Sequence, residues 1–460
     1  MKIKYCSIVF VCLCLMSACS SGSAPAPATP TKQTPSQLTV YWWPGDFQGD
    51  LTPLIDLYRG SFPSVTVQVD NSGWDGEAYV SQLQTALQSG QGPDIILFNT
   101  RATMPNIAKL VDAGVFEDLN PYMESDPSYD PSKFVQPVIG AGNVGGQQLF
   151  MPYQYAIPMY AADQTTLEQA GLGGLPDLDQ DEMIDTVADY SSRTGQIVFP
   201  ADDIGVFPFN DTVYQLLASS GLQVYDLTEK KLTISHEDLI HLLTNYQKYH
   251  SASEPDGYYD MLGKDPDTYP YQLESGFINK DFLLYDYTEQ YGANTSPLEF
   301  QLFTSQVGSM SVEYFPYPGL EKGSGLTAVP TGFVGLNANS TNKHAAYYFM
   351  RTIMSYPFNN DPWYFPIDRT LQQGIDSLLS GAQIQHDSYY DVKLTPGQFS
   401  ASNLSDYLTN VNNVTSGVAY DRNIMQIMCT AFEDFAAGKI ADADTAASQI
   451  EQQVSFYLSE

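Results

Sequence analysis

The chain has 460 residues, of which 53 are acidic and 20 are Lys or Arg, so its formal net charge at pH 7 is −33. Phosphate backbones are bound by clustered Lys and Arg side chains, so this charge excludes nucleic acid as a partner. The 43% hydrophobic content excludes general disorder, and the length exceeds one comfortable core, which predicts two lobes.

The first residues have the layout of an export signal, in which Lys2 and Lys4 precede an apolar run and small residues end at Cys19. The apolar run is too short to span a membrane. The ending Leu-Met-Ser-Ala-Cys resembles the lipobox of bacterial lipoproteins, which implies a signal peptide over residues 1–18 and acylation of Cys19. An ordinary signal peptide with a chance cysteine is the alternative. Residues 19–38 are rich in Ser, Pro and Thr and predict a disordered tether, with the protein held at the extracellular face of the cell membrane by its lipid alone.

Cysteine usage agrees with export. Three of the five cysteines would leave with the signal and Cys19 would carry lipid, so only Cys429 remains and no intramolecular disulfide can form. Cys429 lies in the apolar stretch IMQIMCTAF, which favours a buried, inert thiol over a nucleophile.

Strands and helices alternate after the tether. Periodicity predicts strands over 38–43, 65–69 and 92–98 and helices over 52–59, 77–88 and 107–111. This alternation predicts an α/β fold with a largely parallel, wound sheet, in which ligands bind at the carboxyl ends of the strands.

A second α/β series follows an extended crossing segment over residues 150–160. Asp179 and Glu182 predict a capping box for a helix that runs toward Tyr190, and Ser235 predicts the start of another helix. Residues 255–270 read as a long surface loop, and the chain from about residue 342 onward reads as mostly helical.

Most motifs that could carry chemistry fail on spacing or context. GAGNVG at 140–145 satisfies a dinucleotide pattern but leads into a strand-like segment, so a hairpin is favoured. The histidines of HEDLIH, His236 and His241, are five residues apart and cannot share a metal from one helix face. The aspartates at 177–181 lack the glycine and glutamate of a calcium loop. We therefore expect no cofactor, no metal and no catalytic residues.

The positive signal is aromatic, with 32 Tyr, 23 Phe and 4 Trp. Trp42 and Trp43 end the first strand, with Asp46 close by, and Trp74 lies just past the second strand. Flat rings beside acids suit sugars, whose C–H faces pack on aromatic planes while their hydroxyls need directed hydrogen bonds. Core packing is the equal alternative for these three rings.

Four segments, in order, resemble the family 1 extracellular solute-binding proteins of ABC importers, the group that includes maltose-binding protein. These segments are QSGQGPDIILF at 88–98, GGQQLFMPYQYAIPMYAADQTTLEQAGL at 145–172, NKHAAYYFMRTIM at 342–354 and the C-terminal run at 431–460. The resemblance implies the type II periplasmic-binding-protein fold, with two α/β lobes that close on ligand as a hinge. It implies a first lobe from residues 39–151 and 300–355 and a second from 152–299 and 356–460.

The resemblance also implies further ligand-binding residues. These are the stretch after the Gly-Pro-Asp strand (Phe98, Asn99, Thr100, Arg101), the crossing (Tyr153, Gln154, Tyr155), and second-lobe positions (Phe207, Asn210, Tyr285, Asp286, Tyr287). The implied function is capture of a sugar or oligosaccharide by a monomer that delivers it to ABC permease subunits. A secreted carbohydrate-active hydrolase with paired carboxylates is the alternative, because carboxylate separation is spatial and 53 acids supply many candidate pairs.

Overall fold

A computed structural model describes residues 36–41, 51–70, 76–99, 106–199, 211–253, 283–286, 312–356, 365–370 and 401–459. The predicted signal peptide, Cys19 and most of the tether lie outside these residues. Residues 36–38, predicted as the end of the tether, instead begin the first strand, because Leu38 packs in the core.

The strands, in chain order, are β1 (Ser36–Tyr41), β2 (Val65–Asp70), β3 (Ile95–Asn99), β4 (Asn143–Val144), β5 (Gln147–Gln148), β6 (Phe150–Ala156), β7 (Met159–Asp163), β8 (Tyr225–Asp226), β9 (Lys231–Leu232), β10 (Leu284–Asp286), β11 (Val312–Pro316), β12 (Leu326–Leu336), β13 (Phe365–Pro366) and β14 (Val414–Gly417). The helices are α1 (Thr52–Ser61), α2 (Gly76–Gln88), α3 (Ile107–Asp112), α4 (Asn120–Ser125), α5 (Gln136–Gly140), α6 (Gln164–Ala170), α7 (Gln180–Thr194), α8 (Asp211–Ser220), α9 (His236–Ala252), α10 (Lys343–Met354), α11 (Ala401–Asn412), α12 (Arg422–Ala436) and α13 (Ala443–Ser459). Single 3₁₀ turns occur at Pro131–Lys133 and Leu175–Asp177.

The first lobe is built on a seven-stranded sheet in the order β13-β6-β12-β3-β1-β2, with β14 paired to β12. Strand β1 pairs in parallel with β2 and β3, as the alternation predicted. Strand β12 runs antiparallel to both β3 and β6, so the sheet is mixed rather than largely parallel. The reason is topological, because β12 enters the first lobe from the second and therefore runs against β3.

Both faces of this sheet are covered by apolar side chains. One face carries the first-lobe core, in which Leu38, Val40 and Leu97 pack with residues of α1 and α10. A hydrogen bond from the Tyr58 hydroxyl to the Ala345 carbonyl, 3.0 Å long, ties these two helices together. The opposite face carries an aromatic cluster of Tyr41, Phe98, Phe116, Phe150 and Phe333 with its aliphatic neighbours.

The second lobe contains a three-stranded antiparallel sheet, β10-β7-β11, and a layer of helices. Its helical core joins α8, α9, α12 and α13 through residues such as Leu242, Met428 and Ile450. The predicted capping box of α7 is present, since the Asp179 side chain accepts from the Glu182 N–H at 2.9 Å. Ser235 caps α9 as predicted, and Cys429 is buried.

Among the residues that the structure describes, three strands carry the chain between the lobes. Strand β6 continues through Ile157 and Pro158 into β7. Strand β12 packs Val329 in the helical core and Val334 in the first-lobe core, and the residue that follows β14, Val418, returns to the helical core. The exact lobe boundaries stay a prediction, although the first-lobe core continues past residue 152 to Met159. Within the described ranges, no helix is both long and apolar enough to cross a membrane.

Candidate ligand site between the lobes

The carboxyl ends of β1, β2 and β3 lie at one edge of the first-lobe sheet. Tyr41 is paired with Asp70, and β3 extends beside them to Asn99. The predicted ligand residues that follow these ends directly or within a few positions are Trp42, Trp43, Asp46, Trp74, Thr100 and Arg101, and all six lie outside the described residues. Ligands of open α/β sheets bind at this edge, and ligand contact by these six residues stays a prediction.

The predicted crossing residues divide between the two faces of the sheet. Tyr153 is 2% exposed and Tyr155 is fully buried, and both belong to the first-lobe core together with Met151. Gln154 is also buried, and alternation along β6 directs its side chain to the other face. The two tyrosine rings thus serve as packing groups in this arrangement of the lobes, and ligand contact by them stays a prediction.

Tyr153 owes its position to a glycine on the neighbouring strand. A Cβ atom added to Gly332 would lie 2.3 Å from Tyr153 Cζ, so only glycine admits the ring at this point of β12. Because β6 and β12 are both crossing strands, this contact fixes their register at the hinge.

Phe98 is buried in the aromatic cluster, with its ring centroid 5.6 Å from that of Phe333 and 5.4 Å from that of Phe150. Asn99 pairs with Gly332 through the backbone.

In the second lobe, Tyr285 and Asp286 lie on β10 opposite Ala161 and Tyr160 of β7. Phe207, Asn210 and Tyr287 lie outside the described residues.

A cavity of about 390 Å³ lies between the lobes. The first lobe contributes Phe98, Ile107, Gly140, Ala141, Asn143, Val144, Gly145, Phe150 and Phe333, and the second contributes Gln223, Tyr225, Asp226, Leu227, Thr228, Thr233, Ala419, Tyr420 and Asp421. The GAGNVG segment forms the predicted hairpin, β4–β5, and supplies part of the wall. A salt bridge between Lys230 and Asp112 joins the β8–β9 turn of the second lobe to the end of α3 in the first.

The cavity wall contains two fixed carboxylates. Asp421 is 4% exposed and accepts from the N–H groups of Asn423 at 2.8 Å and Ile424 at 3.3 Å and from the Tyr457 hydroxyl at 3.1 Å. Burial raises the pKa of the Asp421 carboxyl, and these donors oppose that rise by favouring its charged form. Asp226 accepts from the N–H of Thr228 at 2.7 Å and from that of the next residue, Glu229, at 2.9 Å.

The histidines of HEDLIH face different helices, as their spacing predicted. The His236 ring lies 3.0 Å from Glu451 and 3.1 Å from Asp444, both on α13. The His241 ring lies 2.8 Å from Asp181 on α7. Across the part of the chain that the structure describes, no group of three or more His, Cys, Asp or Glu side chains could hold a metal ion.

The family assignment rests on the sequence. Residues 54–366, more than half of the chain, match the family model of bacterial extracellular solute-binding proteins. The chain belongs to this family. No individual curated protein shows significant sequence similarity to it.

Solved structures share the fold of this solute-binding protein. An ABC substrate-binding protein from Listeria monocytogenes in complex with cycloalternan has a TM-score of 0.58 and 16% identity, over 93% of this chain and 100% of that one. A cyclic alpha-maltosyl-1,6-maltose binding protein from Arthrobacter globiformis has a TM-score of 0.55 and 15% identity, over 92% and 99%. A de novo designed cysteine esterase has a TM-score of 0.61 and 16% identity, over 93% and 99%. At these identities the likeness establishes the two-lobe fold alone.

Sequence reasoning missed most of the inter-lobe cavity of this solute-binding protein. Tyr225, Asp226, Tyr420 and Asp421 come from two second-lobe segments almost 200 residues apart. The local signal that could have found the first pair is the turn at Asp226, whose carboxylate accepts two following backbone N–H groups. No local signal indicates that the second pair lies beside it.

Proposed function

We propose that this chain captures a sugar or oligosaccharide between its lobes and delivers it to the permease subunits of an ABC importer, acting as a monomer anchored through Cys19. The single observation that carries the proposal is the match of residues 54–366 to the extracellular solute-binding family. The three strands that pass between the lobes support a hinge that opens and closes on a ligand.

Two observations favour a carbohydrate. One protein with this fold was solved in complex with cycloalternan, and another is a cyclic alpha-maltosyl-1,6-maltose binding protein. In this chain, Trp42, Trp43 and Trp74 follow β1 and β2 in sequence, and the carboxyl ends of these strands lie at one edge of the first-lobe sheet. Rings at that edge suit the apolar faces of pyranoses.

The test of ligand identity is a calorimetric titration with linear malto-oligosaccharides and cyclic glucans, followed by the Trp42→Ala, Trp43→Ala and Trp74→Ala variants. Loss of one stacking ring should weaken binding at least about tenfold, equivalent to about 1.4 kcal/mol. Phe456→Ala is the matched control, because that ring is 65% exposed on α13 and its loss should leave binding unchanged. If all three tryptophan variants fold and bind within twofold of wild type, the rings are core residues and this site is wrong.

Closure has its own measurement. Small-angle scattering should give a smaller radius of gyration once an identified sugar saturates the protein, because the lobes rotate together about the crossing strands. An unchanged profile at saturation contradicts the hinge.

The hydrolase remains the second candidate, and the same sugars separate the two. Incubation of each bound oligosaccharide with the protein should leave the oligosaccharide intact, whereas a hydrolase would release shorter products.

The lipid anchor is tested apart from binding: wild-type protein should take up a labelled fatty acid in cells, and Cys19→Ala should not. Unlabelled wild-type protein that is free in the medium would contradict the anchor.

A further inference from the structure

The inter-lobe cavity has the size and wall of a ligand site, and it extends away from the sheet edge assigned to the sugar. Its volume of about 390 Å³ falls in the range of small-molecule pockets. The β4–β5 hairpin in its wall precedes β6, which runs in the same direction as β3 because both are antiparallel to β12. The hairpin side of the cavity therefore lies toward the amino ends of these strands. Phe98, predicted above as a sugar contact, lines the cavity beside the carboxyl end of β3, whereas the three tryptophans follow β1 and β2 in sequence.

One side of the cavity is aromatic and held rigidly by packing. Phe98, Phe150 and Phe333 contact one another with ring centroids 5.4 to 6.0 Å apart. Tyr225 and Tyr420 add second-lobe rings, and each hydroxyl is engaged, by the Ala419 and Leu217 carbonyls respectively. Because both hydroxyls are already hydrogen-bonded, these two tyrosines would contact a ligand through the faces and edges of their rings.

The other side is negative. Asp226 and Asp421 are both fixed by backbone N–H donors, and among the described residues that line the cavity none is Lys, Arg or His. Asp421 is buried, and a buried carboxylate without a cationic partner is costly. Asp226 is half-buried and lies opposite Lys231 across the β8–β9 hairpin, where Lys231 forms a salt bridge with Glu229. The net charge of −33 adds a field that attracts cations. Aromatic faces also attract cations directly.

We propose that this cavity is a second small-molecule site, adjacent to the tryptophan contacts proposed for the sugar, which binds an aromatic ligand that carries an ammonium group. The ring packs among the phenylalanine and tyrosine side chains, and the ammonium group donates to Asp226 and Asp421. An anion of the same shape is disfavoured because it meets two carboxylates in a wall whose described residues include no Lys, Arg or His.

The experiment compares three probes of similar shape by calorimetry at neutral pH: tryptamine, a cation; indole, which is neutral; and indole-3-acetate, an anion. Tryptamine should bind at least about tenfold more tightly than indole, as expected for a hydrogen bond between charged groups. Indole-3-acetate should bind most weakly. Equal affinities, the reverse order or no binding of tryptamine would each overturn the proposal.

Two variants locate the site. Asp226→Asn keeps the oxygen that accepts from Thr228 but removes the charge, so it should reduce the tryptamine preference about tenfold and leave indole unchanged. Ala419→Trp fills the cavity and should abolish binding of all three probes. The matched control is Asp189→Asn, which removes one charge from the exposed face of α7 and should change nothing.

Tryptamine that binds Ala419→Trp as it binds wild type would show that it occupies another place, and the proposal fails. If Ala419→Trp does not fold by circular dichroism, the Asp226→Asn comparison decides alone. The same variants are also titrated with sugar, so that this proposal and the proposed function are tested separately. Whether or not sugar binds, the expected order of affinity for tryptamine, indole and indole-3-acetate stays the same.

Discussion

Gly417 ends β14 at a point where the structure has no room for a side chain. A Cβ atom there would lie 2.2 Å from the Pro137 carbonyl oxygen and 2.8 Å from its carbonyl carbon. These are backbone atoms of α5, so no rotamer change relieves the contact. About 1 Å of backbone displacement would be required to restore ordinary contact, and it would strain the neighbouring bond from the Val418 N–H to the Ala328 carbonyl, now 3.0 Å. We expect Gly417→Ala to lower the free energy of unfolding by roughly 2–3 kcal/mol, the upper part of the range for overpacking.

The assay is urea unfolding followed by circular dichroism, with Gly60→Ala as the matched control. Gly60 lies in α1, and a Cβ atom added there would have no other atom within 4 Å, so the same substitution should stabilise the protein by roughly 0.5–1 kcal/mol. Opposite signs for one chemical change would isolate the steric term. A Gly417→Ala variant as stable as wild type, beside a stabilised Gly60→Ala variant, would refute the reasoning.

Three further substitutions test interactions within the lobes. Asp179→Ala removes the α7 cap and should cost about 1 kcal/mol by urea unfolding. Arg351→Met should cost roughly 3–5 kcal/mol, because it leaves the Asp126 carboxylate, 2% exposed and now 3.4 Å from Arg351 Nε, without its charge partner. His236→Gln should destabilise the protein at about pH 5.5 and less at about pH 8.5. The reason is that hydrogen bonds to Asp444 and Glu451 raise the His236 pKa above its ordinary value of 6.5. The stability that protonated His236 contributes is therefore fully present below pH 6.5 and is lost as the pH rises through the raised pKa.

Each of these has a control or a contrary outcome. Asp189→Ala, on the exposed face of the same helix, should change stability by less than Asp179→Ala. An Arg351→Met variant that unfolds like wild type would show that the ring contacts of Arg351 and its carboxylate pair are dispensable together. A His236→Gln variant that loses the same stability at the two pH values would contradict the assignment.

Local signals predicted the elements that depend on local chemistry. The capping residues of α7 and α9 and the Gly-Pro-Asp turn before β3 are examples, since each acts within a few residues of its own position. The face on which Tyr153 lies could not be predicted in the same way. The run FMPYQY in β6 is buried on both faces of the sheet, so it has no polar alternation from which an orientation could be inferred.

Non-local pairing was equally hidden from the sequence. Nothing near residue 96 indicates that Gly335 will lie beside it, and the antiparallel insertion of β12 turned a predicted parallel sheet into a mixed one. The cavity has the same origin, because its walls come from hairpins and strand ends that only the finished fold brings together.

The position of β12 also determines when the first lobe can exist. Strands β3 and β6 do not pair with each other, and each is completed only when β12 is inserted between them. The bond from Tyr58 to Ala345 likewise joins residues 287 positions apart. A ribosome that has delivered residues 1–325 has therefore produced two facing strands with open edges, which are sites for pairing with other chains. Over most of its length, the nascent chain has to remain unfolded or bound to a chaperone. A premature stop before residue 326 should yield an aggregating product and not a stable single lobe.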